Sequence, residues 1–178
     1  MESNAMANDA TQSIQDPATA GEDQYLTFIL ADEEYGVDIL RVQEIKGWER
    51  PTPLPNTPDY IRGVINVRGM IVPIIDMRLR FGMEPLEYGP TTVVIMLRVI
   101  SEDRERVMGI VVDAVSEVYS IGDDNLQPAP DFGTRIGIDF VRGLATVEEK
   151  MILVLDIDTL LGPGLIASED AIREEQGA

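Results

Sequence analysis

Two arginines stand six residues apart in the apolar stretch "IRGVINVRGMIVPIID" (residues 61–76), and each is followed by glycine. In a strand, alternation would place Ile61, Gly63, Ile65 and Val67 on the inner face and Arg62, Val64, Asn66 and Arg68 on the outer face. Guanidinium groups beside an apolar residue suit a partner surface, because arginine is enriched there. The alternative is a solvated outer face on which the arginine stems cover apolar neighbours.

The two glycines have different predicted roles. Gly69 is predicted to allow the turn between two strands of a hairpin. Gly63 lies in the middle of a strand, where glycine weakens a sheet unless something packs closely against it. A bend in a tight barrel and the close approach of a partner both explain Gly63.

The rest of the sequence offers little for catalysis. The chain has no cysteine and no histidine, which excludes disulfides, thiol chemistry, the usual zinc site, a Ser-His-Asp triad and a phosphate-accepting histidine. It has 32 acidic residues, but no spacing marks a catalytic pair, and no glycine-rich phosphate loop is present. We therefore predict a protein that is not an enzyme and uses no cofactor or metal. Asp76 and Asp156 are predicted to be helix N-caps or turn acceptors.

The charge of the chain limits its partners. The formal net charge is −18, and residues 24–165, with 23 acids and 13 bases, contribute −10 of it. Such a field opposes binding to nucleic acid and to anionic membranes. The longest apolar runs are far shorter than the roughly 20 residues of a membrane span. We predict a cytoplasmic protein with no nucleic-acid partner and no direct membrane insertion.

Short strands and turns dominate the elements that must position these residues. The segment 41–48 is predicted to be extended, and the proline-rich segment 49–59 to be an ordered loop above Trp48. The scattered methionines, Met70 and Met151 among them, are predicted to fill the core or the sheet edges. Strands are predicted at 24–31 and 35–39, and hairpins at 61–76, 91–118 and 138–157.

The chain also repeats itself in two blocks that keep the same order. Residues 61–82 align without gaps on residues 141–162, so that Arg62, Gly63 and Asp76 match Arg142, Gly143 and Asp156. Residues 36–45 align on 109–118. The repeat predicts two similar small β-barrels of roughly 65–70 residues each, a size at which one core is only marginally stable alone.

Four blocks of the sequence resemble, in the same order, the CheW family of chemotaxis coupling proteins. The blocks are "DEEYGVDILRVQEIKGW", "NTPDYIRGVINVRGMIVPIIDMRLRF", "GIVVDAVSEV" and "MILVLDIDTLL", and the resemblance covers about residues 24–162. The resemblance implies a mainly all-β fold with two pseudo-symmetric, five-stranded, SH3-like β-barrel subdomains and short helical turns. It implies a CheW-like domain at 24–165, with repeat units at about 24–90 and 91–165. Residues 1–23, in which "SNA" is typical of a cloning remnant, would be a disordered tail, and 166–178 an acidic tail.

The resemblance implies a non-catalytic adaptor. Members couple the cytoplasmic tips of transmembrane chemoreceptors to the CheW-like regulatory domain of the histidine kinase CheA, and in some arrays they also form rings by themselves. A scaffold for a parallel receptor-kinase pathway, in motility or surface sensing, is the alternative. The chain has no histidine and is too short for the additional domains of CheA or of CheV-type proteins.

The resemblance also implies a receptor-binding surface. It places Gly63 and Arg68 on that surface, with Arg62 as a neighbour, and Ile39, Val42 and Glu44 at the receptor groove. We expect a receptor helix hairpin to lie on Ile39, Val42 and Val64, with Arg62, Arg68 and Glu44 at the rim. An ordinary core role for the aliphatic residues stays open, because Val42 and Glu44 recur as Val115 and Glu117. No motif identifies kinase-binding residues.

Overall fold

The computed structural model describes residues 22–102, 104–128 and 140–162. Most of these residues lie in strands, as predicted, and the helical segments are single turns. The strands are β1 (Glu22–Leu30), β2 (Glu33–Asp38), β3 (Val42–Gly47), β4 (Ile61–Val67), β5 (Met70–Asp76), β6 (Val93–Ser101), β7 (Arg104–Val112), β8 (Ala114–Gly122), β9 (Leu126–Gln127), β10 (Val141–Val147) and β11 (Lys150–Leu155). The described residues also include two short α-helices, α1 (Met77–Arg80) and α2 (Ile157–Leu160), and the 3₁₀ turns Ile39–Arg41 and Asp123–Asn125.

The strands form two sheets, which confirms the predicted mainly-β class. The first sheet has five strands in the order β3-β6-β7-β5-β4, and the second has six in the order β8-β1-β2-β11-β10-β9. The sixth strand is the two-residue β9. Seven of the nine neighbouring pairs of described strands are antiparallel, and the pairs β5–β7 and β11–β2 are parallel.

The hairpin of β4 and β5 has the predicted alternation. Ile61, Ile65 and Val67 are buried, whereas Arg62 and Asn66 are exposed. Arg68 and Gly69 form the two-residue turn with φ of 51° and 84°, both in the left-handed region that such turns require. The Asn66 side chain accepts a hydrogen bond of 2.9 Å from the Gly69 N–H, which fixes the turn. The predicted turn role of Gly69 is confirmed.

The two repeats are equivalent in space down to the strand register. Ile74 of β5 lies opposite Gly109 of β7, and the matching residue Val154 of β11 lies opposite Gly36 of β2. Each sheet therefore combines strands of both repeats, because the hairpin of one repeat pairs with a strand of the other. The repeat units in sequence do not coincide with the sheets.

Both short helices begin as the sequence predicts. The Asp76 side chain accepts a hydrogen bond from the Leu79 N–H, and the Asp156 side chain accepts one from the Thr159 N–H. A side-chain acceptor of this kind satisfies an N–H group that has no partner within the helix. The assignment of Asp76 and Asp156 as N-caps is confirmed.

Two strand boundaries differ from the sequence prediction. The predicted strand 105–118 is interrupted at Asp113, where the chain passes from β7 in the first sheet to β8 in the second. Ile39 and Arg41 lie in a 3₁₀ turn, because the Asp38 side chain accepts from the Leu40 N–H at 2.9 Å and bends the chain. Both interruptions occur where the chain crosses between sheets, and single-strand periodicity does not detect such crossings.

The buried residues form three clusters that explain how two small sheets become stable together. One cluster lies within the first sheet, around Ile74 and Met96, and one within the second, around Tyr25 and Ile152. The largest cluster takes residues from both sheets, including Phe28 and Ile110. Burial of apolar surface is the main stabilising contribution, so the shared cluster holds the sheets together.

Several predicted segments lie wholly or partly outside the described residues. The predicted tail 1–23 does so except for residues 22 and 23, which belong to β1, and the acidic tail 166–178 does so entirely. Within the part of the chain that the structure describes, no helix has the length and hydropathy needed to cross a membrane.

Candidate functional site

An exposed ion pair joins the two outer strands of the first sheet. Arg68, in the turn after β4, places its Nη1 atom 2.9 Å from Oε1 of Glu44 on β3. The Arg68 side chain is 73% exposed and the Glu44 side chain 26%. Exposed ion pairs contribute only about 0.2–1 kcal/mol to stability, so this pair matters little for folding. The fold brings together two predicted rim residues that are far apart in sequence.

Arg62 lies on the outward face of β4, beside an aromatic stack. Its guanidinium carbon is 6.0 Å from the centre of the Tyr88 ring, and its Nη1 donates to the carbonyl oxygen of Asp59 at 3.3 Å. The rings of Tyr88 and Trp48 stack with centroids 3.9 Å apart. Burial is the largest cause of a raised pKa for Tyr88, and the hydrogen bond to Asp76 raises that pKa further, so the phenol remains a donor. Arg62 therefore lies on the outer face of β4 beside the stacked rings of Tyr88 and Trp48.

A cavity of about 510 Å³ lies between this aromatic stack and the proline-rich loop. Arg50 and Arg62 contribute cationic groups to its wall, and Pro51, Pro53 and Pro58 contribute apolar surface. Trp48 packs against the core of the first sheet, which agrees with its predicted place beneath the loop.

Gly63 allows a close approach by a segment of the same chain. Its φ is 136°, and a Cβ atom at this position would overlap the carbonyl oxygen of Thr52. Thr52 forms a bridge with Val64, with hydrogen bonds of 2.8 and 2.9 Å between their backbones. The register of the hairpin also shifts between Ile61 and Gly63. Gly63 therefore lies at a bulge and against the proline-rich loop. The backbone N–H and carbonyl groups of Val64 are both hydrogen-bonded to Thr52 of that loop.

The aliphatic residues of the predicted groove lie partly in the core. Ile39, in the 3₁₀ turn, and Val42, at the start of β3, are half-buried and pack against the cluster shared by the two sheets. Val64 is half-buried on the outward face of β4. Only the exposed parts of these three side chains are free for a partner.

Two exposed apolar groups near this surface were missed in the sequence. Leu40 is 71% exposed in the 3₁₀ turn. Its equivalent in the repeat, Asp113, has a side chain that is only 18% exposed, so the repeat gave no signal for it. Met70 and Ile71, at 43% and 59% exposure, line a cavity of about 540 Å³ with Gln43 and the start of β7. Met70 and Met151 are exposed, whereas Met77, Met96 and Met108 are buried.

Comparison with known proteins agrees with this architecture. The family model described as CheW-like domain matches residues 24–163, which include nearly all of the described residues. The chain belongs to the CheW-like domain family. The match covers both sheets and all the residues of the candidate surface, so the family assignment does not depend on one motif.

Individual relatives point the same way. The chain is 43% identical over 169 residues to the chemotaxis protein CheW of Klebsiella aerogenes, covering 95% of this chain and 99% of the relative. It is 37% identical to the chemotaxis protein CheW of Rhizobium meliloti, covering 80% and 89%. The crystal structure of the scaffolding protein TtCheW from Thermoanaerobacter tengcongensis matches with a TM-score of 0.70 and 33% identity, covering 81% of this chain and 90% of that one.

Proposed function

We propose that this protein is a non-catalytic adaptor that couples transmembrane chemoreceptors to the histidine kinase CheA in chemotaxis arrays. It acts in the cytoplasm and is recruited to the membrane by the receptors it binds. Membership of the CheW-like family supports the proposal, as do relatives named chemotaxis protein CheW and a structural neighbour described as a scaffolding protein. These relatives favour chemotaxis over a parallel motility or surface-sensing pathway.

The receptor would bind at the rim formed by Glu44 and Arg68. The observation that carries this assignment is their exposed ion pair, which adds little to stability but presents both charges at one position. In a helix-in-groove complex, apolar anchors supply affinity and charged residues at the rim fix the register. Arg62 and the exposed part of Val64 would extend the surface along β4.

The predicted groove at Ile39 and Val42 would receive the apolar side of the receptor helices. Ile39 and Val42 lie at the point where the chain leaves the second sheet and enters the first. Because both residues pack against the shared core, they would provide a rigid apolar floor rather than mobile side chains. Gly63 would act indirectly, because it holds the proline-rich loop beside β4.

The kinase would bind through a separate surface. The regulatory domain of CheA resembles this fold, so a contact between barrels of similar shape is the natural arrangement, and a ring contact between copies of the adaptor would use the same kind of surface. No described residue carries a specific signal for this contact.

Charge reversal at Arg68 tests the receptor assignment. Arg68→Glu places two carboxylates together, so we expect loss of binding to a receptor cytoplasmic fragment in a pull-down. Arg104→Glu is the matched control, since it makes the same change in net charge at an exposed arginine at the start of β7. Both variants should melt within a few degrees of the wild type by circular dichroism. Retained receptor binding by Arg68→Glu, or equal loss in Arg104→Glu, would contradict the assignment.

A further inference from the structure

The backbone of this fold permits two pairings of the repeats. In the observed fold, the hairpin β4–β5 of the first repeat pairs with β7 of the second, and the hairpin β10–β11 pairs with β2 of the first. The registers are equivalent, because Gly109 faces Ile74 as Gly36 faces Val154. A self-closed alternative, in which each hairpin pairs with the strand of its own repeat, would keep the same register and the same glycines. Side-chain contacts that differ between the two repeats can therefore select the exchanged pairing.

One ion pair spans the crossing from β7 to β8. Arg78 of α1 binds Asp113 through two bonds, Nε to Oδ1 at 2.8 Å and Nη2 to Oδ2 at 2.6 Å. Asp113 also accepts a bond of 2.9 Å from the backbone N–H of Ala31. The two side chains are only 14% and 18% exposed. We call Arg78 and Asp113 the first ion pair.

The equivalent crossing, from β2 to β3, has an ion pair of opposite polarity. Arg41 binds Asp158 of α2 through two bonds of 2.7 Å, and Asp158 accepts a third of 2.8 Å from the Ile100 N–H. The side chains of Arg41 and Asp158 are 24% and 31% exposed. Asp158 is the repeat match of Arg78, and Arg41 lies one residue beyond the match of Asp113. We call Arg41 and Asp158 the second ion pair.

In one repeat the helix carries the cation, and in the other it carries the anion. In the exchanged pairing, each helix meets a crossing of opposite charge. In the self-closed pairing, Arg78 would meet Arg41, and Asp158 would meet Asp113. Like charges brought together in partly buried positions repel strongly, since water screens them less than on an open surface.

We propose that the opposite polarity of the two ion pairs selects the exchanged pairing of the repeats over the self-closed one. The device acts during folding, when the two hairpins compete for β2 and β7, and it acts by penalising the wrong arrangement. The proposal does not depend on which receptor or kinase the protein binds.

Charge exchange within the pairs tests the polarity directly. Arg78→Asp with Asp113→Arg preserves an ion pair at the first crossing, but both arrangements of the repeats then bring opposite charges together. Arg41→Asp with Asp158→Arg does the same at the second crossing and is the matched variant. Making all four changes restores opposite polarity with the signs reversed. Selection should be lost in each double variant and recovered in the quadruple variant.

The pairing can be measured by distances between spin labels. The chain has no cysteine, so single cysteines can be introduced for labelling without background. Ile74 lies opposite Gly109, so four residues earlier in each parallel strand Met70 would lie beside Glu105. In the self-closed pairing Ile74 would lie opposite Gly36, and Met70 would lie beside Asp32 in the β1–β2 turn. Proteins labelled at 70 and 105, or at 70 and 32, are unfolded in urea, refolded and measured by pulsed electron double resonance.

We expect one short 70–105 distance in the wild type and in the quadruple variant. Each double variant should instead show a second population, with a short 70–32 distance, in about a tenth or more of the molecules. A single short 70–105 distance in both double variants overturns the proposal, and so does a mixture in the quadruple variant. If the double variants do not refold, refolding of the quadruple variant supports the proposal, and its failure overturns it.

Discussion

Replacing Gly63 by alanine should destabilise the fold by about 3 kcal/mol. The φ of 136° at this residue is a conformation that side chains rarely adopt, and strain of this kind costs about 1–3 kcal/mol. The new Cβ would also displace Thr52 and break the two hydrogen bonds of its bridge with Val64, at about 1 kcal/mol each. The smaller conformational entropy of alanine in the unfolded chain offsets about 0.4–1 kcal/mol of this loss.

Urea unfolding of three alanine variants measures the effect. Gly69→Ala is the matched control, because Gly69 has a φ of 84° but no atom within 4 Å of the position that a new Cβ would take, and it should cost about 1 kcal/mol. Gly143→Ala should fall between the two, since its Cβ would lie 2.7 Å from the Gln127 carbonyl oxygen without a positive φ. If Gly63→Ala is no less stable than Gly69→Ala, the proline-rich loop is not held against β4.

Three further changes test local parts of the structure. Glu149→Gly should raise the melting temperature, with a gain of about 0.5–1 kcal/mol, because Glu149 has a φ of 68° in a two-residue turn; an unchanged or lower value would contradict this. Burial raises the pKa of Asp113, but the bonds from Arg78 and a backbone N–H outweigh it and hold that pKa below its ordinary value of 3.8. The stability that this carboxylate contributes is complete above its unfolded pKa and is lost as pH falls through its folded pKa. The urea midpoint should therefore decline more steeply between about pH 5 and about pH 3 in the wild type than in Asp113→Asn. Equal slopes in the two proteins would show that the pKa of Asp113 is not lowered by folding. Tyr88→Phe removes the 2.7 Å bond to the buried Asp76 and should cost about 1–2 kcal/mol in urea unfolding, whereas wild-type stability would show that the bond is unimportant.

Local features of the fold could be predicted from the sequence because neighbouring residues determine them. The alternation of β4 follows from the strand period of two, and the turn at Gly69 follows from the need for a positive φ. Asp76 and Asp156 each precede a single helical turn, where an N-cap is needed. The internal repeat by itself indicated two similar units.

The long-range pairings could not be predicted in the same way. The repeat fixes the register of β5 against a strand such as β7, but β2 offers the same glycine at the same place. The bridge between Thr52 and Val64 joins a loop to a strand and leaves no periodic signal. The ion pair of Glu44 and Arg68 depends on the approach of two outer strands of one sheet, which follows only from the complete topology.

Co-sedimentation with receptor-containing membranes tests the central claim most directly. Purified CheA is mixed with membranes that carry chemoreceptors, in the absence or presence of this protein or of its Arg68→Glu variant. The account predicts that the wild-type protein carries the kinase into the membrane pellet, and that the variant leaves the kinase in the supernatant while still binding it in solution. Equal sedimentation of the kinase with and without the wild-type protein would contradict the adaptor function.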